Sequence, residues 1–220
     1  MEGIVIAMGL TAQMIGWWLI ASRGRDVWHI LPPILAVMGV VALLVAAPFE
    51  PDVGRTAQVI AGISAGLLLY VGTRAFVWVA VRWGPFRQNV VEAYAEAQEV
   101  PKARALALSL LLSVPGEELF WRGLAQGWLT TTALGAAGAA GVTLLLYVVA
   151  NLPSRSLPIV AGAVVGGAVW GGLAWWSGGV LAPLASHILW TGLMLAFPPG
   201  TEPGPRSETV PRAEPGGGPA

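Results

Sequence analysis

Long apolar stretches separated by short polar segments fill the first 197 residues of the chain. A helix needs about 20 mostly apolar residues to cross the roughly 30 Å hydrocarbon core of a bilayer. Seven stretches approach or exceed this length, at about residues 3–21, 30–48, 57–80, 105–129, 132–152, 157–176 and 179–197. The pattern therefore predicts an all-α, polytopic integral membrane protein with about seven transmembrane helices.

Two segments depart from this pattern. Residues 85–104 mix apolar side chains with arginine, glutamate and lysine, which is typical of an amphipathic helix on the membrane surface. Residues 198–220 are rich in proline and glycine and have no aromatic side chain, so little apolar area can offset the entropy lost on ordering. We therefore divide the chain into N-terminal helices with a cytoplasmic amphipathic segment (1–104), a core (105–197) and a disordered tail (198–220).

Composition supports a membrane protein and excludes several other classes. The chain is 55% hydrophobic and only 11% charged, whereas a soluble domain has roughly 25% charged residues. The net charge is zero and no basic patch is present, so we expect a lipid bilayer and no nucleic acid as partner. The absence of cysteine excludes disulfides, thiolate metal sites and cysteine nucleophiles.

The distribution of lysine and arginine predicts how the helices are oriented, because these residues concentrate on the cytoplasmic side. If the N-terminus of a seven-helix chain lies outside, the inner side collects Arg23, Arg25, Arg82, Arg87, Lys102, Arg104, Arg155, Arg206 and Arg212. The outer loops then hold only Arg55. We predict a multi-pass protein of the cell membrane with its N-terminus outside and its C-terminus in the cytoplasm.

Three charged residues lie inside the fourth apolar stretch: Glu117, Glu118 and Arg122. Because a charge near the bilayer centre costs at least about 2.5–3.5 kcal/mol, such residues usually face a functional cavity. Glu118 and Arg122 are four residues apart and can form an ion pair along a helix. Glu117 is turned about 100° away, which makes it the candidate catalytic base. Alternatively, all three residues form a buried polar cluster that only fixes helix packing.

Two later stretches also carry pairs of polar residues four positions apart. His187 and Thr191 share a helix face, and imidazole can act as a base, a proton donor or a metal ligand near neutral pH. Tyr147 and Asn151 form the other pair, although Asn151 could instead cap the end of its helix. The first two stretches offer essentially no polar side chain. This argues against a transporter, which would need polar residues in several helices.

Three residue groups resemble the motifs of the CPBP family of intramembrane proteases: Glu117-Glu118-x-x-x-Arg122, Tyr147-x-x-x-Asn151 and His187-x-x-x-Thr191. This family includes the type II CAAX prenyl endopeptidases and bacterial proteins linked to bacteriocin processing and self-immunity. The resemblance covers about residues 105–197. The first motif is the most specific, because two aromatic residues and a glycine flank its arginine.

The resemblance implies an intramembrane protease, a hydrolase that cleaves a hydrophobic or prenylated peptide inside a helix-lined cavity. It implies that Glu117 activates water, while Glu118 and Arg122 hold the helix and its charge in place. His187 and Thr191 would bind the developing oxyanion or a metal. Members of the family are often described as metalloproteases, and a glutamate-driven mechanism without a metal is also argued for them.

The chain departs from the family pattern at two positions. The family has histidine where this chain has Asn151, and asparagine or aspartate where it has Thr191. An amide has no proton that titrates near neutrality and is a weak zinc ligand. Glu117 and His187 remain as the strong metal ligands, so zinc is possible by resemblance but a tight site is not expected.

These departures leave three functions open. The first is an active endopeptidase in which threonine still donates a hydrogen bond to the oxyanion. The second is a catalytically weak or inactive relative that binds membrane peptides or partners. The third, from another class, is a small transporter with an intramembrane proton relay.

Overall fold

The computed structural model describes residues 1–46, 51–97 and 100–199, which form helices and contain no β-strand. The helices are α1 (Glu2–Arg23), α2 (Val27–Val45), α3 (Arg55–Ala80), α4 (Gly84–Ala97), α5 (residues 102–130), α6 (Gly135–Asn151), α7 (Leu157–Ser177) and α8 (Leu181–Ala196). The predicted all-α class is therefore confirmed, and α4 covers the first part of the predicted amphipathic segment, beginning one residue before it. The predicted disordered tail, residues 198–220, lies outside the described residues except for its first two prolines.

Helix α5 combines α-helical and π-helical backbone in one continuous run. Its segments are Lys102–Leu108, Ser109–Ser113, Val114–Glu117, Glu118–Gln126 and Gly127–Thr130, of which the second and fourth are π-helical. In the first π-helical segment the Val114 N–H donates to the Ser109 carbonyl, five residues back. Such wide turns are rare and occur frequently at functional sites. The second π-helical segment begins at Glu118, within the first motif.

Five helices in the described part of the chain are long and apolar enough to cross a membrane: Glu2–Arg23, Val27–Val45, Arg55–Ala80, Gly135–Ser154 and Leu157–Ser177. Helices form at all seven predicted positions, but a count of seven spans is not confirmed. The π-helical segments divide α5, and α8 has only 16 residues. At about 1.5 Å per residue, α8 is shorter than the roughly 30 Å hydrocarbon core.

Hydrogen bonds near the ends of α3 show how it lies relative to α8. Just before α3, the Asp52 N–H donates to the Ser177 carbonyl over 3.1 Å, close to the start of α8. Near the other end of α3, Arg74 Nη1 donates to the Phe197 carbonyl over 3.0 Å, immediately after α8. The two helices therefore run parallel. This is the direction expected of the third and seventh predicted spans, α3 and α8, in a bundle whose spans alternate in direction. The direction of the bundle relative to the cytoplasm stays a prediction.

The core of the bundle surrounds α5. Its side chains Phe120, Trp121, Leu124 and Ala125 are almost completely buried among residues of α1, α2, α6 and α7. Helix α2 approaches α5 closely where Gly39 meets Gly116, since a Cβ atom on Gly39 would lie 2.7 Å from the Gly116 Cα. This contact fixes the backbone directly before Glu117.

Candidate active site

Glu118 and Arg122 lie on the buried side of α5. Arg122 Nη1 is 3.3 Å from Glu118 Oε1, and both side chains are essentially inaccessible. The predicted ion pair is therefore present, on π-helical backbone. Arg122 Nη2 also donates to the Gly167 carbonyl over 3.4 Å, and its guanidinium carbon lies 4.7 Å from the centre of the Tyr147 ring. The charge of Glu118 is thus compensated inside the protein.

Glu117 has different partners. Tyr147 Oη donates to Glu117 Oε2 over 3.0 Å, and Gln13 Nε2 donates to Glu117 Oε1 over 3.3 Å. His187 Nε2 lies 4.0 Å from Oε2, which is longer than a direct hydrogen bond. The two hydrogen-bonding partners of Glu117 are neutral, and its side chain stays 12% exposed.

His187 lies between the two glutamates, with one ring nitrogen toward each. Its Nδ1 lies 2.7 Å from Glu118 Oε1, and its ring stacks on Trp170 at 3.5 Å between centroids and 15° between planes. An ionised carboxylate only accepts hydrogen bonds, so Nδ1 carries the proton of this contact. Because Nδ1 is engaged in this way, Nε2 is the nitrogen left on the side of Glu117.

A cavity of about 880 Å³ opens beside Glu117. Most of its wall is apolar, and it includes Phe86, Val90 and Tyr94 of the amphipathic helix α4. The predicted site residues that line it are Glu117, Asn151, His187 and Thr191. Glu118 and Arg122 lie behind this wall. The six predicted residues therefore gather around one cavity, with four on its surface and two buried beside it.

Asn151 lies on the cavity but directs its amide toward other protein groups. Its Oδ1 accepts a hydrogen bond from Trp17 Nε1 over 2.9 Å, and its Nδ2 donates to the Tyr147 carbonyl over 2.8 Å. The amide is therefore held by α1 and by its own helix. One hydrogen of Nδ2 is left for a further contact.

The expectation that the first two apolar stretches offer essentially no polar side chain is wrong. Gln13 of α1 is 0% exposed and contacts Glu117, and Trp17 one turn later contacts Asn151. A buried amide needs hydrogen-bond partners, because burying it unpaired is costly. The glutamine in the middle of an apolar stretch therefore indicated, in the sequence itself, that α1 contacts polar groups of another helix. The stacking of Trp170 on His187 had no comparable signal.

The residues around the cavity do not fit a tightly bound metal. No group of three or more histidine, aspartate or glutamate side chains that could hold an ion occurs within residues 1–46, 51–97 and 100–199. Glu118 Oε1 is engaged by Arg122 and His187, and Asn151 Oδ1 accepts from Trp17. Glu117 and His187 are two ligands, whereas catalytic zinc sites use three protein ligands.

Comparison with known proteins identifies a family for the segment of the chain that carries the motifs. No curated protein and no solved structure matches the chain. Residues 100–193 match a family model described as type II CAAX prenyl endopeptidase Rce1-like. The match confirms, for this segment with all three of its motifs, the CPBP family that the sequence predicted.

Proposed function

We propose that the protein is an intramembrane endopeptidase of the CAAX type that hydrolyses a hydrophobic or lipid-anchored peptide. The family match supports a protease in general terms. The observation that carries the specific proposal is the placement of Glu117 and His187 Nε2, 4.0 Å apart, on the wall of a largely apolar cavity. An apolar peptide can lie along such a wall with its scissile bond beside these two groups.

In the proposed reaction Glu117 is the general base. Its carboxylate takes a proton from water, and the oxygen of that water attacks the carbonyl carbon of the scissile bond. The carbonyl oxygen becomes an oxyanion. Glu117 then returns the proton to the amide nitrogen as the C–N bond breaks. A positioned base of this kind contributes roughly 10²–10⁴ in rate.

His187 and Thr191 are the proposed donors to the oxyanion. Both line the cavity, one helical turn apart on α8. For this role His187 must carry a proton on Nε2 as well as on Nδ1, which contacts Glu118 Oε1. Donors aimed at charge that develops in the transition state are each worth roughly 10²–10³ in rate.

Glu118 and Arg122 are proposed to act through position. Their ion pair is sealed from the cavity, and Glu118 Oε1 orients the ring of His187. Arg122 neutralises Glu118 and ties α5 to α7 at the Gly167 carbonyl. This arrangement supports a structural role for Glu118 directly beside the proposed base, Glu117.

Substrate is proposed to enter from the lipid bilayer at the cytoplasmic face. The amphipathic helix α4 supplies Phe86, Val90 and Tyr94 to the cavity wall, so the cavity extends to a helix that the sequence places on the membrane surface. A peptide with a lipid anchor in the inner leaflet would reach Glu117 by this path. The proposed orientation, with the N-terminus outside, puts α4 on that side.

A second candidate function is a homologue that binds membrane peptides with little or no turnover. The observation in its favour is the engagement of Asn151, whose oxygen accepts from Trp17 and whose nitrogen donates to the Tyr147 carbonyl. Held in this way, Asn151 supplies no second base for water. The cavity would still accept an apolar segment.

Cleavage in reconstituted liposomes distinguishes the two candidates. Wild type, Glu117→Ala and Asn151→His are incubated in parallel with prenylated peptides and bacteriocin-leader peptides, and the products are measured by mass spectrometry. Cleavage by wild type that disappears with Glu117→Ala supports the endopeptidase. An inert wild type with an active Asn151→His variant supports the binding homologue instead.

A further inference from the structure

Helix α1 lies outside the segment that matches the protease family, yet two of its side chains reach the site. Gln13 donates to Glu117, and Trp17 donates to Asn151, over 3.3 Å and 2.9 Å respectively. The two residues are four positions apart and so face the same side of α1. The matched segment alone therefore does not contain all the groups that hold the proposed base.

The orientation of the Gln13 amide is fixed by a second contact. Gln13 Oε1 accepts a hydrogen bond from Trp121 Nε1 over 3.0 Å. An indole N–H can only donate, so the amide oxygen must face Trp121. The amide nitrogen then necessarily faces Glu117. Both Gln13 and Trp121 are completely buried, so no solvent competes for these bonds.

Close packing keeps α1 at this distance from α5. Gly9, one turn before Gln13, lies against the ring of Phe120, and a Cβ atom there would overlap that ring. Gln13 and Trp121 are also absent from the cavity wall. A peptide in the cavity would therefore touch Glu117 and not Gln13.

We propose that Gln13 is a positioning residue that holds the carboxylate of Glu117, so that α1 is part of the active site. Gln13 fixes Oε1 and Tyr147 fixes Oε2, and these two bonds together set the direction of the carboxylate. The proposal rests on the proposed function of Glu117 as base. The proposal adds to the site a residue of a helix that lies about a hundred positions before Glu117 in the chain.

The first test is Gln13→Met, which keeps the approximate volume and removes both hydrogen bonds. We expect kcat to fall roughly 10- to 100-fold, the range for one hydrogen bond to a charged group. KM should stay within about twofold, because Gln13 lies outside the cavity wall and would not contact a bound peptide. Gln58→Met is the matched control, since Gln58 is equally buried but donates to the Val53 carbonyl near the start of α3. It should leave kcat unchanged.

A double variant separates positioning from folding. Gln13→Met leaves the buried Trp121 N–H without its partner, which lowers stability by itself. Combining Gln13→Met with Trp121→Phe removes that unpaired donor. Because Trp121→Phe leaves a cavity of its own, the double variant is compared with Trp121→Phe alone. We expect the double variant to be at least as stable as Trp121→Phe alone while its kcat is lower. A kcat equal to that of Trp121→Phe alone would show that Gln13 only supports packing and would overturn the proposal.

Infrared spectroscopy tests the same contact without any need for turnover. The carboxyl bands of Glu117 are identified by their loss in Glu117→Gln. These bands should shift in Gln13→Met and remain in place in Gln58→Met. Unshifted bands overturn the proposal even if wild type cleaves peptides. A shift in a protein that cleaves nothing upholds the Gln13 contact and rejects the proposed function instead.

Discussion

Glu117 and Glu118 are adjacent residues with identical chemistry in contrasting surroundings. Glu118 is 0% exposed and meets a guanidinium and an imidazole, whereas Glu117 meets an amide and a phenol and borders the cavity. One residue of helical rotation separates the two environments. In the proposed reaction, the charge of the partners and access to the cavity separate the structural carboxylate from the reactive one. Position along the helix does not, since the two residues are adjacent.

The sharpest test of this contrast is to make the same substitution at both positions. Glu117→Gln should lower kcat by on the order of 10²–10⁴, because the base is lost, with little change in melting temperature. Glu118→Gln should lower the melting temperature, because it removes the charge that balances Arg122, and it should lower kcat less than Glu117→Gln does, because only the orientation of His187 is disturbed. Peptide cleavage in liposomes and thermal unfolding in detergent measure the two effects. Equal activity losses at both positions would remove the distinction.

Arg122→Met tests whether the stability of the protein depends on compensating the charge of the buried Glu118. The variant leaves the carboxylate of Glu118 buried without its guanidinium, which should cost about 3–5 kcal/mol of stability. Arg74→Met, at a less buried arginine, is the control, because Arg74 bonds to Tyr70 and to the Phe197 carbonyl and has no carboxylate partner among the described residues. Denaturant unfolding in mixed micelles gives both values. A loss for Arg122→Met no larger than for Arg74→Met would contradict the assignment.

Gly39→Ala should disturb both glutamates together, because it pushes α2 away from the backbone just before Glu117. We expect a loss of about 1–3 kcal/mol in stability, as for other overpacked sites, along with lower cleavage. Gly141→Ala on α6 is the control, since nothing lies within 4 Å of a Cβ atom there. The same loss in both variants would show that the α2–α5 contact has no special importance.

Asp26 extends the comparison to a carboxylate outside the membrane-spanning helices, where the effect should be smallest. It caps α2 by accepting from the Trp28 N–H over 2.7 Å, so Asp26→Ala should cost about 1 kcal/mol. Asp26→Asn, an equally good cap, should restore most of it at neutral pH. Thermal unfolding of both variants measures the difference.

The same residue makes a prediction about pH. Slight burial opposes ionisation, but hydrogen bonds from the Trp28 N–H and His29 outweigh it and hold the pKa of Asp26 below its usual range. A lowered folded-state pKa adds stability above the unfolded value of about 3.9, and this stability is lost as the pH falls through the folded value. The advantage of wild type over Asp26→Asn should therefore shrink below about pH 4. If the stability difference between wild type and Asp26→Asn grew on acidification, the pKa of Asp26 would be raised by folding and the prediction would be wrong.

Local spacing in the sequence predicted part of this site. Glu118 and Arg122 are four residues apart, and the ion pair between them follows from helical geometry alone. The gathering of Asn151, His187 and Thr191 on one cavity came from the family motifs instead. Helix positions were also predictable, because long apolar runs determine them.

Contacts between distant residues were not predictable in the same way. The bond between His187 and Glu118 joins positions 69 apart, and the bond between Gln13 and Glu117 joins positions 104 apart. Such pairs depend on how the helices pack, which apolar periodicity does not encode when every face is apolar. The π-helical turns of α5 and the short α8 left the predicted count of seven spans unconfirmed for a related reason. Hydropathy measures the length of an apolar run and is insensitive to its backbone geometry.

The π-helical backbone between Glu118 and Gln126 has a consequence for sequence alignment. Each wide turn holds one residue more than an α-helical turn, so the loss of one residue there is absorbed when a wide turn becomes an ordinary one. An ordinary α-helical turn has no such reserve, and losing one residue from it rotates everything beyond by about 100°. Gln126, which donates to the Gly171 carbonyl on α7, would keep this partner in the first case and lose it in the second. Homologues aligned with a one-residue gap in this stretch would therefore keep the same helix contacts on both sides of the gap.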